Sequence, residues 1–146
     1  MIKNILAVDP GYATGVVLFT PISRLEIAVH MCREIVGPQR FYDWLRALDD
    51  TVYGRPEHCV CEDWTPRGGR PKTWQPEPIR IAGALEFWFG TDNISFQMPG
   101  AAMSWGTTKK VQEYTYVVPP TKDGHQQMAL RHALLWTSTH FQEQED

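Results

Sequence analysis

Two acidic residues each close an apolar segment, and this arrangement can support metal chemistry. The run "ILAV" leads into Asp9, and the run "HCVC" leads into Glu62. A carboxylate at the end of a buried strand is unfavourable unless a donor, a basic group or a metal ion compensates its charge. Two such carboxylates repel each other, and a divalent cation between them removes that repulsion. Because Mg²⁺ prefers carboxylate oxygens and keeps water ligands for phosphate chemistry, the pair predicts a site for Mg²⁺ or Mn²⁺.

Each acid also has an ordinary structural explanation. Asp-Pro-Gly is a common turn string, so Asp9 could serve only to form the turn. Glu62 on its own could be a solvated strand end, and its interpretation as a ligand depends on Asp9. Asp63 follows Glu62 directly, and strand alternation predicts that it points to the opposite face.

The elements around the two acids predict that they meet. Three apolar segments near the N-terminus predict an antiparallel meander, and an amphipathic helix over residues 39–53 precedes the strand that ends at Glu62. A strand that follows such a helix is expected to lie parallel to the first strand. Since ligands collect at the carboxyl ends of parallel strands, Asp9 and Glu62 should share one edge of the sheet.

The rest of the chain predicts further α/β elements. We expect a helix over 77–90, a strand over 94–98, a short helix over 101–112 weakened by Gly106, and a final helix over 123–137. The stretch between the last two helices is predicted to be irregular or extended. The whole chain, residues 1–146, is therefore interpreted as one α/β domain with a mixed five-stranded sheet flanked by helices.

Charge and cysteine usage limit the classes of function. The formal net charge of −3 excludes a uniformly basic nucleic-acid binder, so attraction to phosphate must come from a local patch. The three cysteines form an odd set, which favours free thiols in a reducing compartment. There is no apolar span of about 20 residues for a membrane helix. We therefore expect a cytoplasmic protein.

One local basic patch lies between two tryptophans. The segment "WTPRGGRPKTWQP" carries the cations Arg67, Arg70 and Lys72 between Trp64 and Trp74, with no acid among them. These cations are candidates for contacts with DNA phosphates. The alternative is a loop folded over its own tryptophans.

Three segments resemble the RuvC-type Holliday junction resolvases, which belong to the RNase H-like superfamily. They are "ILAVDPG", "HCVCEDW" and "HQQMALRHALL", and the short, aromatic-rich chain looks like a phage-encoded member. The resemblance implies an RNase H-like fold and a divalent-metal-dependent endonuclease that cleaves phosphodiesters in branched DNA. It also implies a homodimer, in which the apolar helix segment "GALEFWF" would form the interface unless it is plain core.

The resemblance further implies roles for single residues. Asp9 would bridge two metal ions, and Glu62 would ligate one of them. His125 would be a catalytic and metal-binding residue at the start of the last helix. Lys109 would lie near the scissile phosphate and Lys110 would contact DNA, although a solvated lysine pair is the simpler alternative. Trp64 and Trp74 would stack on bases at the junction.

At one position the chain departs from the family pattern. Family members carry a further acid where this chain has Met128, and a thioether does not hold Mg²⁺. Asp123 or Asp63 could substitute as a ligand, although Asp123 could also simply cap the last helix. The other possibilities are a one-metal site or a catalytically silent protein that binds branched DNA. His132, seven residues after His125, is expected to pack or to support the site from behind.

Overall fold

A mixed β-sheet with helices on both faces forms the body of the protein. The computed structural model describes residues 4–63, 76–105, 107–116 and 124–142. Its strands are β1 (Ile5–Asp9), β2 (Ala13–Pro21), β3 (Ile27–Val36), β4 (His58–Glu62), β5 (Ile94–Gln97) and β6 (Thr115–Tyr116). Its helices are α1 (Pro38–Leu48), α2 (Pro76–Phe89), α3 (Pro99–Trp105), α4 (Thr108–Tyr114) and α5 (Gly124–His140), with a short 3-10 turn at Thr91–Asn93.

The strand order is β5-β4-β1-β2-β3-β6. The strands β1, β2 and β3 pair in antiparallel fashion, as the meander predicted. The strand β4 pairs parallel with β1 on one side and with β5 on the other. The carboxyl ends of β1, β4 and β5 therefore lie at one edge of the sheet.

Side-chain alternation divides the core into two layers. Ile5 and Ala7 of β1 belong to a buried cluster with α5, whereas Leu6 and Val8 belong to a second cluster with α1 and α2. Successive residues of a strand point to opposite faces, so β1 is apolar throughout because both of its faces are covered. Asp9 continues the row of Ile5 and Ala7 and is placed on the α5 face.

Several sequence-based boundaries were wrong. The helix predicted over 39–53 ends at Leu48, because Thr51 bonds the Leu48 carbonyl through its hydroxyl at 2.7 Å and the chain turns there. Val52 is consequently 95% exposed and is not part of the apolar face. The final helix extends beyond residue 137 to His140.

The region after β5 differs most from expectation. The single helix predicted over 101–112 is two helices, α3 and α4, which flank Gly106 in the sequence. The stretch expected to be irregular contains the end of α4 and the two-residue strand β6, which pairs parallel with β3. The five expected strands are all present, and β6 extends the sheet to six.

The cysteines and the helices of the described residues bear on the sequence-based expectations. Cys59 and Cys61 are buried free thiols in the core, and burial raises the pKa of both. Within the described ranges, none of the helices has the length and apolar character needed to cross a membrane.

Candidate active site

Asp9 and Glu62 lie side by side at the carboxyl edge of the sheet. In the parallel ladder Val8 is opposite Cys61, so the next residues along the two strands are Asp9 and Glu62. Neighbouring strands are about 4.8 Å apart, and both side chains belong to the face covered by α5. The two carboxyl groups interact directly, because Glu62 contributes both a hydrogen bond and charge repulsion to the titration of Asp9. Both residues are 4% exposed.

Burial makes the negative charge of Asp9 unfavourable. Desolvation raises the pKa of Asp9 to about 7; the hydrogen bond from His125 opposes the shift, and Glu62 adds to it. Burial and charge repulsion from Glu62 disfavour the ionised form of Asp9, and the hydrogen bond with Glu62 favours its protonated form. Asp9 therefore sits where a positive charge would be stabilising.

The turn after Asp9 is held by a short polar contact. The Thr14 hydroxyl donates to the Gly11 carbonyl at 3.2 Å and accepts from the Gly11 N–H at 3.4 Å. Thr14 is buried, so this bond pair satisfies groups that water does not reach. The Asp-Pro-Gly turn is thus real, and it coexists with the placement of Asp9 beside Glu62.

Two glycines allow α5 to begin directly against this turn. A side chain on Gly15 would place its Cβ 2.0 Å from the carbonyl oxygen of His125. A Cβ on Gly11 would lie 3.3 Å from Cε1 of the same imidazole. Since Gly15 is the ladder partner of Asp9, this close approach brings the first turn of α5 to the carboxylate.

His125 bonds Asp9 directly. Its Nδ1 lies 2.7 Å from Oδ2 of Asp9, and the imidazole is 38% exposed. The hydrogen bond to Asp9 raises the pKa of His125, although partial burial opposes the shift. The structure therefore unites Asp9, Glu62 and His125 at one edge, as the sequence predicted for their placement.

A second histidine of α5 bonds the other acid. His132 is fully buried, and its Nε2 lies 3.1 Å from Oε1 of Glu62. Its Nδ1 lies 2.9 Å from the side-chain amide of Gln97 at the end of β5. His132 was expected from the sequence to pack or to support the site, whereas Gln97 was not predicted. The signal was available in "ISFQ", because alternation puts Gln97 on the α5 face at the end of a third parallel strand.

These donors fit a divalent cation that keeps part of its water shell. Mg²⁺ is commonly held by one or two carboxylates together with waters and substrate phosphates, and Asp9 and Glu62 supply two. Within residues 4–63, 76–105, 107–116 and 124–142, no group of three or more His, Cys, Asp or Glu side chains is arranged to hold a metal.

Lys109, Lys110 and Met128 make their described contacts away from the Asp9–Glu62 pair or contribute no ligand to it. The Lys109 ammonium lies 3.9 Å from Oε1 of Glu113 on the same helix and is 82% exposed. The Lys110 ammonium lies 4.0 Å over the ring of Trp105, a cation–π contact. Met128 lies half-buried in α5.

Six predicted residues lie outside the described part of the chain. They are the proposed ligand Asp123 and the proposed DNA contacts Trp64, Arg67, Arg70, Lys72 and Trp74. Asp63 is described: its backbone N–H donates to the Gln97 carbonyl at 2.7 Å, which continues the pairing of β4 and β5 past the end of the strand.

The fold is that of the RuvC-type Holliday junction resolvases. Thermus thermophilus RuvC in complex with a Holliday junction substrate superposes with a TM-score of 0.67 at 14% identity, covering 91% of this chain and 92% of that chain. A second T. thermophilus RuvC structure gives 0.59 at 16% identity, with 92% of each chain covered. The yeast mitochondrial Holliday junction resolvase Ydc2 gives 0.57 at 14% identity, covering 92% of this chain and 77% of that chain.

By sequence comparison, no protein-family model and no curated protein matches the chain. The similarity to the resolvases therefore lies in the path of the backbone. The observed fold agrees with the mixed α/β sheet that the resemblance of the three sequence segments implied.

Proposed function

We propose that this protein is a divalent-metal-dependent endonuclease that hydrolyses phosphodiesters in branched DNA. The observation that carries the proposal is the buried pair of Asp9 and Glu62 at the carboxyl edge of the parallel strands. The proposal is supported by the fold, which is shared with T. thermophilus RuvC bound to a Holliday junction and with a yeast Holliday junction resolvase.

Asp9 and Glu62 are the proposed ligands of Mg²⁺ or Mn²⁺. When bound, the cation supplies Lewis-acid stabilisation of phosphate oxygens and lowers the pKa of a coordinated water. Asp9 must be deprotonated to bind it, and the raised pKa of Asp9 means that cation and proton compete for this carboxylate near neutral pH. The number of ions, one or two, depends on whether Asp123 replaces the acid absent at Met128.

His125 is the proposed catalytic residue that reaches solvent. Its imidazole is partly exposed while both carboxylates are buried, so it is the member of the three most accessible to a phosphate or a water. Its Nδ1 shares a proton with Asp9, and its raised pKa lets it hold that proton close to neutral pH. It would therefore either carry a proton or turn to ligate the cation.

The DNA contacts are proposed on the basic residues. Arg67, Arg70, Lys72 and Lys110 would contact phosphates, Trp64 and Trp74 would stack on bases, and Lys109 would approach the scissile phosphate. The exposed Lys109 ammonium pairs only loosely with Glu113, so phosphate could displace that carboxylate. We propose a cytoplasmic location, with the host cytoplasm implied if the gene is carried by a phage.

A synthetic four-way DNA junction tests the proposal. We expect wild-type protein to nick it in Mg²⁺ or Mn²⁺, leaving 5′ phosphates, and to cut a duplex of the same sequence far less. Asp9→Asn and Glu62→Gln should abolish nicking while retaining junction binding in Ca²⁺. The matched control is Asp43→Asn, which removes an exposed acid paired with Arg46 on α1.

Met128 supports one competing function, a silent protein that binds branched DNA without cutting it. The discriminating result is tight junction binding in Ca²⁺ with no nicking in Mn²⁺ by the wild-type protein. Such a result contradicts the nuclease and leaves the binding function in its place.

A further inference from the structure

The buried imidazole of His132 contacts the carboxyl group of Glu62. The His132 side chain has no exposed surface, and its Nε2 lies 3.1 Å from a carboxyl oxygen of Glu62 that is itself buried. A carboxylate only accepts hydrogen bonds, so the contact is favourable when the proton of His132 is on Nε2. The side-chain amide of Gln97 determines which ring nitrogen of His132 carries that proton.

Gln97 selects that tautomer of His132. Only one orientation of its amide satisfies every neighbour: Nε2 donates to Nδ1 of His132 at 2.9 Å and to the His132 carbonyl at 3.2 Å. In that orientation Oε1 accepts from the backbone N–H of Trp136 at 3.2 Å. Because Nδ1 of His132 accepts a bond, its proton lies on Nε2 and faces Glu62.

The fold sets this chain of contacts across three elements. Glu62 and Gln97 are register partners on β4 and β5, so their side chains lie side by side on the face covered by α5. One turn further along α5, Trp136 stacks on His58, with ring centroids 5.4 Å apart. The helix is thus fixed in rotation above the two strands, with His132 over both strand ends.

We propose that His132 and Gln97 are positioning residues that hold the Glu62 carboxyl group against Asp9 for shared binding of a divalent cation. The inference rests on the proposed function. A glutamate side chain has several rotatable bonds, and a fixed donor on one oxygen restricts where the other can point. Groups that orient a metal ligand in this way typically change metal affinity or activity by about 10- to 100-fold when removed.

The test measures Mn²⁺ binding by isothermal titration calorimetry, together with the Mn²⁺ dependence of junction nicking. His132→Leu, which lacks the donor, should bind Mn²⁺ about 10- to 100-fold more weakly, and saturating Mn²⁺ should restore much of its nicking. His132→Gln keeps an amide N–H at similar reach and should retain most of the affinity. Gln97→Leu should give a smaller loss, because the tautomer is no longer selected.

Thr137→Val is the matched control, because Thr137 is equally buried in α5 and its hydroxyl donates to the backbone carbonyl of Ala133 at 2.9 Å. It should bind Mn²⁺ like the wild type. Unchanged Mn²⁺ affinity in His132→Leu would overturn the positioning role and leave the nuclease standing. If the wild type neither binds Mn²⁺ nor cuts, the proposed function fails and this inference with it.

Folding of the variants is followed by thermal unfolding. Should His132→Leu fail to fold, Gln97→Leu carries the test alone, since Gln97 lies on the edge strand β5 and is only half-buried. Wild-type Mn²⁺ affinity in Gln97→Leu would then overturn the inference.

Discussion

Each acid of the buried pair receives a hydrogen bond from one histidine of the same helix. His125 bonds Asp9 at 2.7 Å and is partly exposed, whereas His132 bonds Glu62 at 3.1 Å and is fully buried. The difference in exposure separates their proposed roles: the first can meet substrate, and the second can only orient its partner. Neither contact removes the unfavourable burial of Asp9, whose pKa remains raised.

The raised pKa of Asp9 predicts how stability depends on pH without metal. The folded chain holds a proton on Asp9 from about pH 4 to pH 7, where the unfolded chain has lost it, so stability falls as the pH rises through this window. Titration of His125 also lowers stability as the pH rises, at higher pH than Asp9, because the pKa of His125 is raised in the folded chain. In EDTA, Asp9→Asn should therefore lose less stability than wild type between about pH 5 and pH 8.

Urea unfolding of both proteins across this pH range measures the effect. Since cation binding requires the deprotonated carboxylate, adding Mn²⁺ should raise the stability of the wild type most at the higher pH. Parallel pH profiles for wild type and Asp9→Asn would show that Asp9 titrates normally.

The sequence could predict the two acids but not the contacts that hold them. Asp9 and Glu62 stand at the ends of apolar runs, and parallel pairing of those runs is enough to bring them together. The bond from His132 to Glu62 depends on how α5 is rotated over the sheet, which helical periodicity alone does not determine. Gln97 was not predicted because a neutral amide at a strand end does not stand out as a candidate ligand or catalytic group.

Among the elements, α5 contributes most to the site because it lies unusually close to β2. Gly15 makes this possible, since its missing side chain leaves room for the backbone of His125. The sequence placed this helix correctly but gave no sign of the close approach, which depends on tertiary packing. The boundaries of α1, α3 and α4 were missed for a related reason: local turns, such as that at Thr51, ended helices that periodicity would have continued.

Gly15→Ala should therefore separate α5 from the site. Its Cβ would lie 2.0 Å from the His125 carbonyl oxygen, so the helix must shift away from Asp9. We expect a loss of about 1–3 kcal/mol in the free energy of unfolding, as for other overpacked sites, together with strongly reduced junction nicking. Urea unfolding and the nicking assay measure the two effects.

Gly100→Ala is the control for this substitution. Gly100 lies in α3, and a Cβ there has nothing within 4 Å, so stability should be unchanged or slightly improved. Wild-type stability and nicking in Gly15→Ala would refute the role of the close approach.

At the scale of the whole molecule, α2 exposes an apolar stripe. Phe87 is 90% exposed and Ile79 is 41% exposed, and Gly83 lies between them at four-residue spacing. We propose that a second copy of this chain covers the stripe, since a homodimer would present two equivalent sites to two strands of a junction. The sequence left open whether this segment was core or interface, and the exposure of Phe87 favours an interface.

Phe87→Glu should convert the proposed dimer into a monomer. An exposed side chain adds little to the stability of the single chain, so the thermal midpoint of an isolated protomer should change little. Sedimentation equilibrium measures the mass, and Val52→Glu is the control, because Val52 is 95% exposed and lies outside α2. A monomeric wild type, or a dimeric Phe87→Glu, contradicts the proposed interface.

The central claim is that Asp9 and Glu62 share the binding of a divalent cation. The most direct measurement is an anomalous difference map from crystals grown with Mn²⁺, compared with the same map from Asp9→Asn crystals. We predict a peak bridging the two carboxyl groups in the wild type and its loss in the variant. A map without manganese between these carboxyl groups, or with an equal peak in Asp9→Asn, would contradict the account.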